Sequence, residues 1–431
     1  MAQKNKRGQI ASSGESLPKF LRCDILIIGG GPSGMAAAIS AKRSNAELEV
    51  VLLEKNEVMG RKLRATGNGR CNITNVKAKG FTEVIKFLSS IGIVTKTNDR
   101  GFLYPVSESA ADVSDLLELR IEQLGVKVYK GVSVEGITRN ADEQVFETLV
   151  NKLDEVYSCN HIVKSTAVIV AVGGKSAPVY GSTGDGYKWL RELGHTVTRL
   201  VPSLTPIECG DMDLSKLSGI RVSAEAKLVK SGEEIHREDG EVQFTKFGLS
   251  GICVFNLSRM MRFDHGDTFD SFEIELDLCQ DLDLQDVLKE AAERADAVSY
   301  ESGKHEKLVD VFKTVFKVGL AHEVIRQAGI AADADAEVLM SESNREKIVV
   351  SARALKFHPT GQKGWKDAQC TSGGVAIGEV DDTTFESNLV SNLYIVGEVL
   401  DYDGFCGGYN LNHAFLSGKR AGTAASDNIY L

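Results

Sequence analysis

Apolar and polar positions fall into three textures along the chain. At the start, the run Asp24-Ile25-Leu26-Ile27-Ile28 closes in Gly29-Gly30-Gly31 and continues as the alanine-rich Pro32 to Ala38. A continuous aliphatic run predicts a buried parallel strand, the glycines a tight turn, and the alanines a helix packed close to that strand. Leu48 to Glu54 predicts the second strand of the same unit. Helical apolar spacing over 82–91 and 108–124 (Val113, Leu116, Leu117, Ile121, Leu124) predicts two helices. Period-2 alternation over 126–163 (Val126, Val128, Val132, Val134, then Val145, Phe146, Leu149) predicts strands. A further buried strand, Ser165 to Val172, ends in Gly173-Gly174.

From about Val197 the pattern becomes strand-like to 276, with turn signals at Cys209-Gly210-Asp211, Ser231-Gly232-Glu233 and Asp239-Gly240. Residues 281–345 are charged, proline-free and helical in period, and strand patterning returns over 348–357. The last seventy residues resume the first texture. Thr371-Ser372-Gly373-Gly374-Val375 reads as a glycine turn, Asn392 to Glu398 as a buried strand ending in a glycine and an acid, and Asp401 to Phe415 as a glycine-rich turn entering a helix that ends near Gly418. The expected class is α/β: a discontinuous Rossmann-like nucleotide-binding domain (21–196 and 365–431) with an inserted β-rich substrate domain (197–276 and 346–364) and a small helical subdomain (277–345).

Composition narrows the function classes. With 431 residues and a net charge of −10, the chain has room for several domains and lacks the basic balance of a nucleic-acid groove. Eight cysteines without a Cys-x-x-Cys pair read as reduced thiols of a cytoplasmic protein, with no metal site. Residues 1–20 are polar and basic without the apolar core of a secretory signal, and read as a disordered leader. The longest apolar run, Ala167 to Val172, is far too short to span a membrane. A small-molecule substrate is the expected partner.

The opening turn carries the chemistry. Gly29 permits the turn, Gly31 lets a pyrophosphate approach the backbone at a helix N-terminus, and Gly34 lets that helix sit against its strand. Glu54, twenty residues beyond Gly34, ends the second strand where a carboxylate can accept from an adenosine ribose. The loop from Gly60 to Asn75 is too glycine-rich for a helix interior and is suited to hugging a flat cofactor. A chain that returns to glycine-terminated strands 350 residues after its dinucleotide turn suits FAD, whose length needs contacts from distant segments. No second Gly-x-Gly-x-x-Gly follows a strand, so reducing equivalents come from a transiently bound NAD(P)H or from the substrate itself.

The segments GRKLRATGNGRCNITN (60–75) and GEVLD with GGYNL (397–411), together with the 371–375 turn, resemble the bacterial BaiN-like, or aminoacetone oxidase family, flavoproteins over about Cys23 to Gly422. The resemblance implies an FAD domain, a β-rich second domain and a small helical third. It also implies that Gly29, Gly31, Gly34, Glu54, Arg61, Lys62, Gly69, Asn72, Gly397, Glu398, Gly408 and Asn410 lie around FAD. Pro32, Ser33, Lys55, Gly60, Gly67, Arg70, Cys71, Gly173, Gly174, Gly373, Gly374, Gly407, Tyr409 and Leu411 flank them on the same turns and complete the expected site. Cys406 stands where the family commonly has threonine, and Cys370 where it has an aliphatic residue.

Hydride transfer at a flavin needs geometry, electrostatics and a proton donor rather than a protein nucleophile. His358 and His413 are the candidate acid/base residues, and Arg70 is a candidate to orient an anionic substrate or a flavin oxygen. Tyr104 is a candidate pocket wall, and Cys71 with Cys406 a candidate redox pair. Two enzyme readings follow, an NAD(P)H-linked reductase of an activated C=C bond and an amine oxidase using oxygen. A third is a non-catalytic flavin-binding interaction module.

Overall fold

The computed structural model describes residues 17–140, 142–152, 161–210, 214–261, 263, 266–302 and 305–429. The expected leader falls, up to residue 16, outside them. The described chain forms two compact units, one of residues up to Val201 with Cys370 onward, the other Pro202–Gln369.

In the first unit, β1 (Phe20–Ile28), α1 (Pro32–Ser44) and β2 (Val50–Glu54) form the opening βαβ unit. Sheet order is β3 (Lys127–Lys130), β2, β1, β6 (His161–Val170), β5 (Val145–Lys152), β4 (Val132–Asn140). Parallel pairing sets Ile25 opposite Val50 on one side of β1 and opposite Ala167 on the other. Ile25, Leu26 and Ile27 are fully buried, which explains why β1 is apolar at consecutive positions instead of alternating. The free flank of β6 is divided: its first half pairs antiparallel with β5, and its last half, Val168 to Val170, pairs parallel with β7 (Leu393–Ile395). The closing segment therefore returns to the C-terminal strand ends, beside the opening turn, where ligands bind in open α/β sheets.

Helices α2 (Phe81–Ser90) and α3 (Ala110–Gln123) lie close to the expected ranges, and the Ser109 hydroxyl caps α3 by accepting from Asp112 N–H at 3.2 Å. Two expectations differ from the structure. The 60–75 stretch is not all loop: Arg61–Ala65 is a short helix, followed by a 3-10 turn over Thr66–Gly69 in which Gly67 and Asn68 are left-handed. The last helix, α4 (Tyr409–Asn428), does not stop at Gly418. Gly418 and Gly422 are close-packing positions, since a Cβ there would lie 2.0 Å from Ser33 O and 2.2 Å from Ala37 O of α1.

The second unit has a seven-stranded antiparallel sheet ordered 355–357, 272–277, 221–230, 233–245, 248–250, 207–209, 359–362. A helix, Ile252–Met260, interrupts the region read as strands. The helices Leu284–Ser302, Val318–Gln327 and Glu342–Arg353 share one hydrophobic core with this sheet, in which Leu228, Phe244, Ile274, Leu288, Val324 and Ile348 are all fully buried.

Candidate flavin site

The opening turn fits the residue types found there. A Cβ on Gly34 would meet Gly29 O at 1.9 Å, and one on Gly29 would meet Ala171 O at 2.5 Å, so both positions exclude any side chain. Gly31 differs: it is extended (φ −78°, ψ −178°), and a Cβ there meets nothing within 4 Å. Its need for glycine lies in what approaches it. α1 begins at Gly31 without a side-chain cap and with Pro32 in its first turn, leaving backbone N–H groups at its start directed outward.

Glu54 is buried and ties the turn to its surroundings. Oε2 accepts from Gly30 N–H at 2.7 Å, and Oε1 accepts from the Asn56 backbone N–H at 2.8 Å and its amide at 2.6 Å. Arg61 donates to Asn56 Oδ1 at 2.6 Å and to Val179 O at 2.8 Å, and Lys55 pairs with Asp185 at 2.7 Å. Gly60 backs onto the Ser114 hydroxyl of α3, where a Cβ would come within 2.2 Å.

The distant segments converge on the same strand ends. Lys62 Nζ lies 2.6 Å from Glu398 Oε2, and Glu398 Oε1 accepts from Thr371 N–H at 3.0 Å and from its hydroxyl at 3.1 Å. Gly174 packs there without space for a Cβ, 2.4 Å from Thr371 Oγ1 and 2.7 Å from Glu398 Oε1. Lys175 and Ser176 N–H donate to the same threonine oxygen at 2.8 and 3.1 Å. Gly173 is left-handed with the Ser182 hydroxyl 3.3 Å from its Cβ position; Gly373 turns against Arg199 O and Gly374 against the Leu400 backbone. Left-handed Gly397 abuts Ser33, and its N–H is 3.0 Å from Ser417 Oγ. Gly407 packs on the Phe102 ring and Gly408 on the Thr74 backbone. Both carboxylates expected to meet hydroxyl groups thus already bond protein donors.

The start of α4 partly differs from expectation. Asn410 does not extend outward: its Oδ1 accepts from Gly404 N–H at 2.7 Å and its Nδ2 donates to Gly404 O at 3.0 Å, clamping the preceding loop. The first intrahelical bond runs from Asn412 N–H to Gly408 O at 2.9 Å, and Gly408 supplies no side-chain cap. Tyr409 opens the helix, and Leu411 packs on the core of the unit. Asn412, missed in the sequence, holds the turn together: it accepts from Thr74 Oγ1 at 2.7 Å and donates to Lys79 O at 2.9 Å.

The residues present fit an FAD. Gly31 and Gly69 leave open space beside backbone, and Asn72 Oδ1 is buried without a hydrogen-bond partner among the described residues, a polar atom suited to accept from a donor. Arg70 is exposed on the left-handed 67–69 turn, with its guanidinium 5.4 Å from the Tyr104 ring centroid and Nε 3.4 Å from Gly67 O. Cys71 is buried, with a left-handed φ of 62°, and burial pushes its thiol up to about 12 against a weaker contribution from Thr66. A thiol so held stays protonated and is a poor redox partner for Cys406.

The two candidate histidines sit in different settings. His358 is an exposed residue of the second unit, 3.7 Å from Glu273, between the strands 355–357 and 359–362. His413 is buried, stacked 4.0 Å from the Tyr402 ring and edge-on to Phe385. Burial pushes its pKa down to about 4, although a bond with the Gly397 backbone acts the other way. Burial thus holds the imidazole neutral at pH 7. The unfolded chain, titrating near 6.5, binds a proton between pH 6.5 and 4 that the folded protein refuses. Stability therefore falls as the pH drops through that window, by about 3 kcal/mol from this group. Urea unfolding at pH 7 and pH 4 should show that loss in the parent and a correspondingly shallower one in His413→Gln; equal losses would refute it.

A second constellation has the connectivity of a nucleophilic triad. Ser387 Oγ lies 2.9 Å from His195 Nε2, and His195 Nδ1 lies 2.9 Å from Glu379 Oε2. The serine oxygen also accepts from Leu389 and Val390 N–H at 3.1 and 2.9 Å, and Ser387 and His195 are buried. Its lone pairs are committed to the backbone, so the chain of bonds fastens the 379–390 segment to the core.

A family model described as the HI0933-like protein Rossmann domain matches residues 23–85 and 80–424. The chain is 32% identical over 421 residues to the 3-dehydro-bile acid delta(4,6)-reductase of Clostridium scindens, covering 93% of this chain and 98% of that one. It is 27% identical to the ribosomal RNA dihydrouridine synthase of Escherichia coli, covering 92% and 96% respectively. Among solved structures, a 3-ketosteroid-delta4-(5alpha)-dehydrogenase from Rhodococcus jostii superposes with a TM-score of 0.50 over 96% of this chain and 99% of that one, at 14% identity, a likeness of fold. No helix among the described residues is long and apolar enough to cross a membrane.

Proposed function

The chain belongs to the HI0933-like family and is an FAD-dependent oxidoreductase; from that premise we propose that it reduces a C=C bond conjugated to a carbonyl in a small organic substrate, with NAD(P)H as the transient reductant. The observation that carries this reading is the shared chemistry of the named relatives. A delta(4,6)-reductase and a dihydrouridine synthase both saturate a C=C bond, and in uridine that bond is conjugated to the ring carbonyl. The higher identity to the bile-acid enzyme, with a net charge of −10, supports a small molecule over an RNA. The free thiols among the described residues support a cytoplasmic setting.

When bound, FAD supplies the two-electron redox centre. The start of α1 at Gly31 would meet its pyrophosphate, Glu54 its ribose, and Asn72, Lys62 and Glu398 the part held by the converging turns. Lys62 and Glu398 offset each other's charge beside Thr371. Arg70 has no hydrogen-bonded carboxylate among the described residues and could face oxygen that gains negative charge as a conjugated carbonyl is reduced.

Anaerobic mixing tests the reading. FAD-loaded protein bleached by NADH or NADPH should be reoxidised by a steroid-type dienone at a rate saturable in the dienone, with one C=C bond saturated, giving one enone per flavin. Aminoacetone with air should give little hydrogen peroxide, and unmodified ribosomal RNA no dihydrouridine. Stoichiometric peroxide with amine consumption would replace this reading by the oxidase, and dihydrouridine formation would move the substrate to RNA.

A further inference from the structure

Away from the flavin turns, a cleft of about 610 Å³ opens between the C-terminal half of α1, the outer face of α2 and the middle of α4. Its wall is more apolar than polar, yet its charged side chains make it locally cationic on a chain of net charge −10. Arg43, Lys86 and Lys419 line it, with Glu83 the one acid among the lining residues.

That acid is already satisfied. Glu83 accepts from Lys419 Nζ at 3.0 Å and from Arg420 Nη2 at 2.8 Å. Arg43, in contrast, spends its guanidinium on neutral groups, the Ser90 hydroxyl at 2.7 Å and the Ser90 carbonyl at 3.1 Å. Lys86 is exposed, with no hydrogen bond or ion pair among the described residues. It stands one helical turn before Ser90, on the face that fixes Arg43. Two positive charges with no carboxylate partner among the described residues therefore line one cleft, and the hydroxyls of Ser40, Ser44 and Thr82 join them in the wall.

We propose that this cleft binds a small phosphate-bearing anion, with the phosphate between Arg43 and Lys86 and the remainder of the molecule over Phe87. A phosphate monoester brings close to two charges and three terminal oxygens, matching two unpaired cations and several hydroxyl donors. A monocarboxylate would leave one cation unbalanced. The apolar part of the wall, to which Phe87 contributes, has no use for bare phosphate and favours an organic ester. Arg43 lies eleven residues beyond Pro32, about 17 Å along α1, so the site is separate from the pyrophosphate position at the helix start.

The test uses FAD-saturated protein, so that the nucleotide cradle is filled. Inorganic phosphate and AMP are titrated calorimetrically at fixed ionic strength with chloride as the blank. One saturable site per chain is expected, with AMP binding at least tenfold tighter than phosphate. Arg43→Gln and Lys86→Glu should each weaken binding tenfold or more with flavin content unchanged; Lys86, being exposed and unbonded, can be replaced without disturbing the fold. Equal affinity for the two probes would assign the site to free phosphate. Absence of saturable binding, or binding unaltered in both variants, would overturn the proposal.

Discussion

Gly31→Val should yield a folded but colourless protein. The backbone at Gly31 is extended and open to any residue, and no atom beyond its chain neighbours lies within 4 Å of the new Cβ, which leaves room for the branch to turn away from the protein. Replacing a glycine at the N-cap by a β-branched residue costs about 1 kcal/mol, too little to unfold a chain of this size. What the isopropyl group occupies is the space through which a pyrophosphate reaches the α1 N–H groups. The absorbance ratio at 450 and 280 nm after purification should drop to background, while circular dichroism and the melting temperature of the apoprotein stay near those of the parent apoprotein. Stoichiometric flavin in this variant would show that the cofactor does not pass over Gly31. Gly34→Val separates the two kinds of glycine in one experiment: its Cβ overlaps Gly29 O at 1.9 Å, so loss of folded protein is expected there.

The contrast between these glycines marks what was legible in the sequence. Apolar runs and glycine spacing determine local geometry, and β1, α1, β2 and β6 lie within a few residues of the positions their patterns predict. The closing strand and the start of α4 were legible for the same reason. Side-chain commitments were not. Nothing in the order of residues says that Asn410 would turn back on Gly404, that Asn412 would bridge Thr74 and Lys79, or that His413 would be sealed between Tyr402 and Phe385. Each of these depends on partners of large sequence separation or on the local curl of a glycine turn, and period says nothing of either. The helical stretch after 281 was legible as helix, but its sharing of a core with the sheet was not, because periodicity shows that a face is buried without showing what buries it. Gly418 misled for a related reason: a glycine late in a helix reads as a stop when composition alone is considered.

Gly418→Val should cost at least about 3 kcal/mol, beyond the usual range for overpacking a core, because the atoms in the way cannot rotate aside. At 2.0 Å from Ser33 O the new Cβ would overlap the backbone of α1, and a flexible side chain is not among its nearest neighbours. Relief requires α4 to lift from α1. Gly422, one turn later and 2.2 Å from Ala37 O in the same sense, shows that the close approach runs along the stripe rather than at one point. Lifting the helix would also pull at Gly397, whose N–H bonds Ser417 Oγ and whose Cα abuts Ser33, so the opening turn and the closing turn would separate together. Flavin content should therefore fall with stability in this variant, unlike Gly31→Val, where flavin alone is lost. Gly418→Ala should lie between, its gain of about 1 kcal/mol in helix propensity being outweighed by the same overlap. Gly136→Ala, with nothing within 4 Å of the new Cβ, serves as the control and should melt at or above the parent temperature. A Gly418→Val protein with parental melting temperature and full flavin occupancy would mean that α4 does not pack on α1 as described.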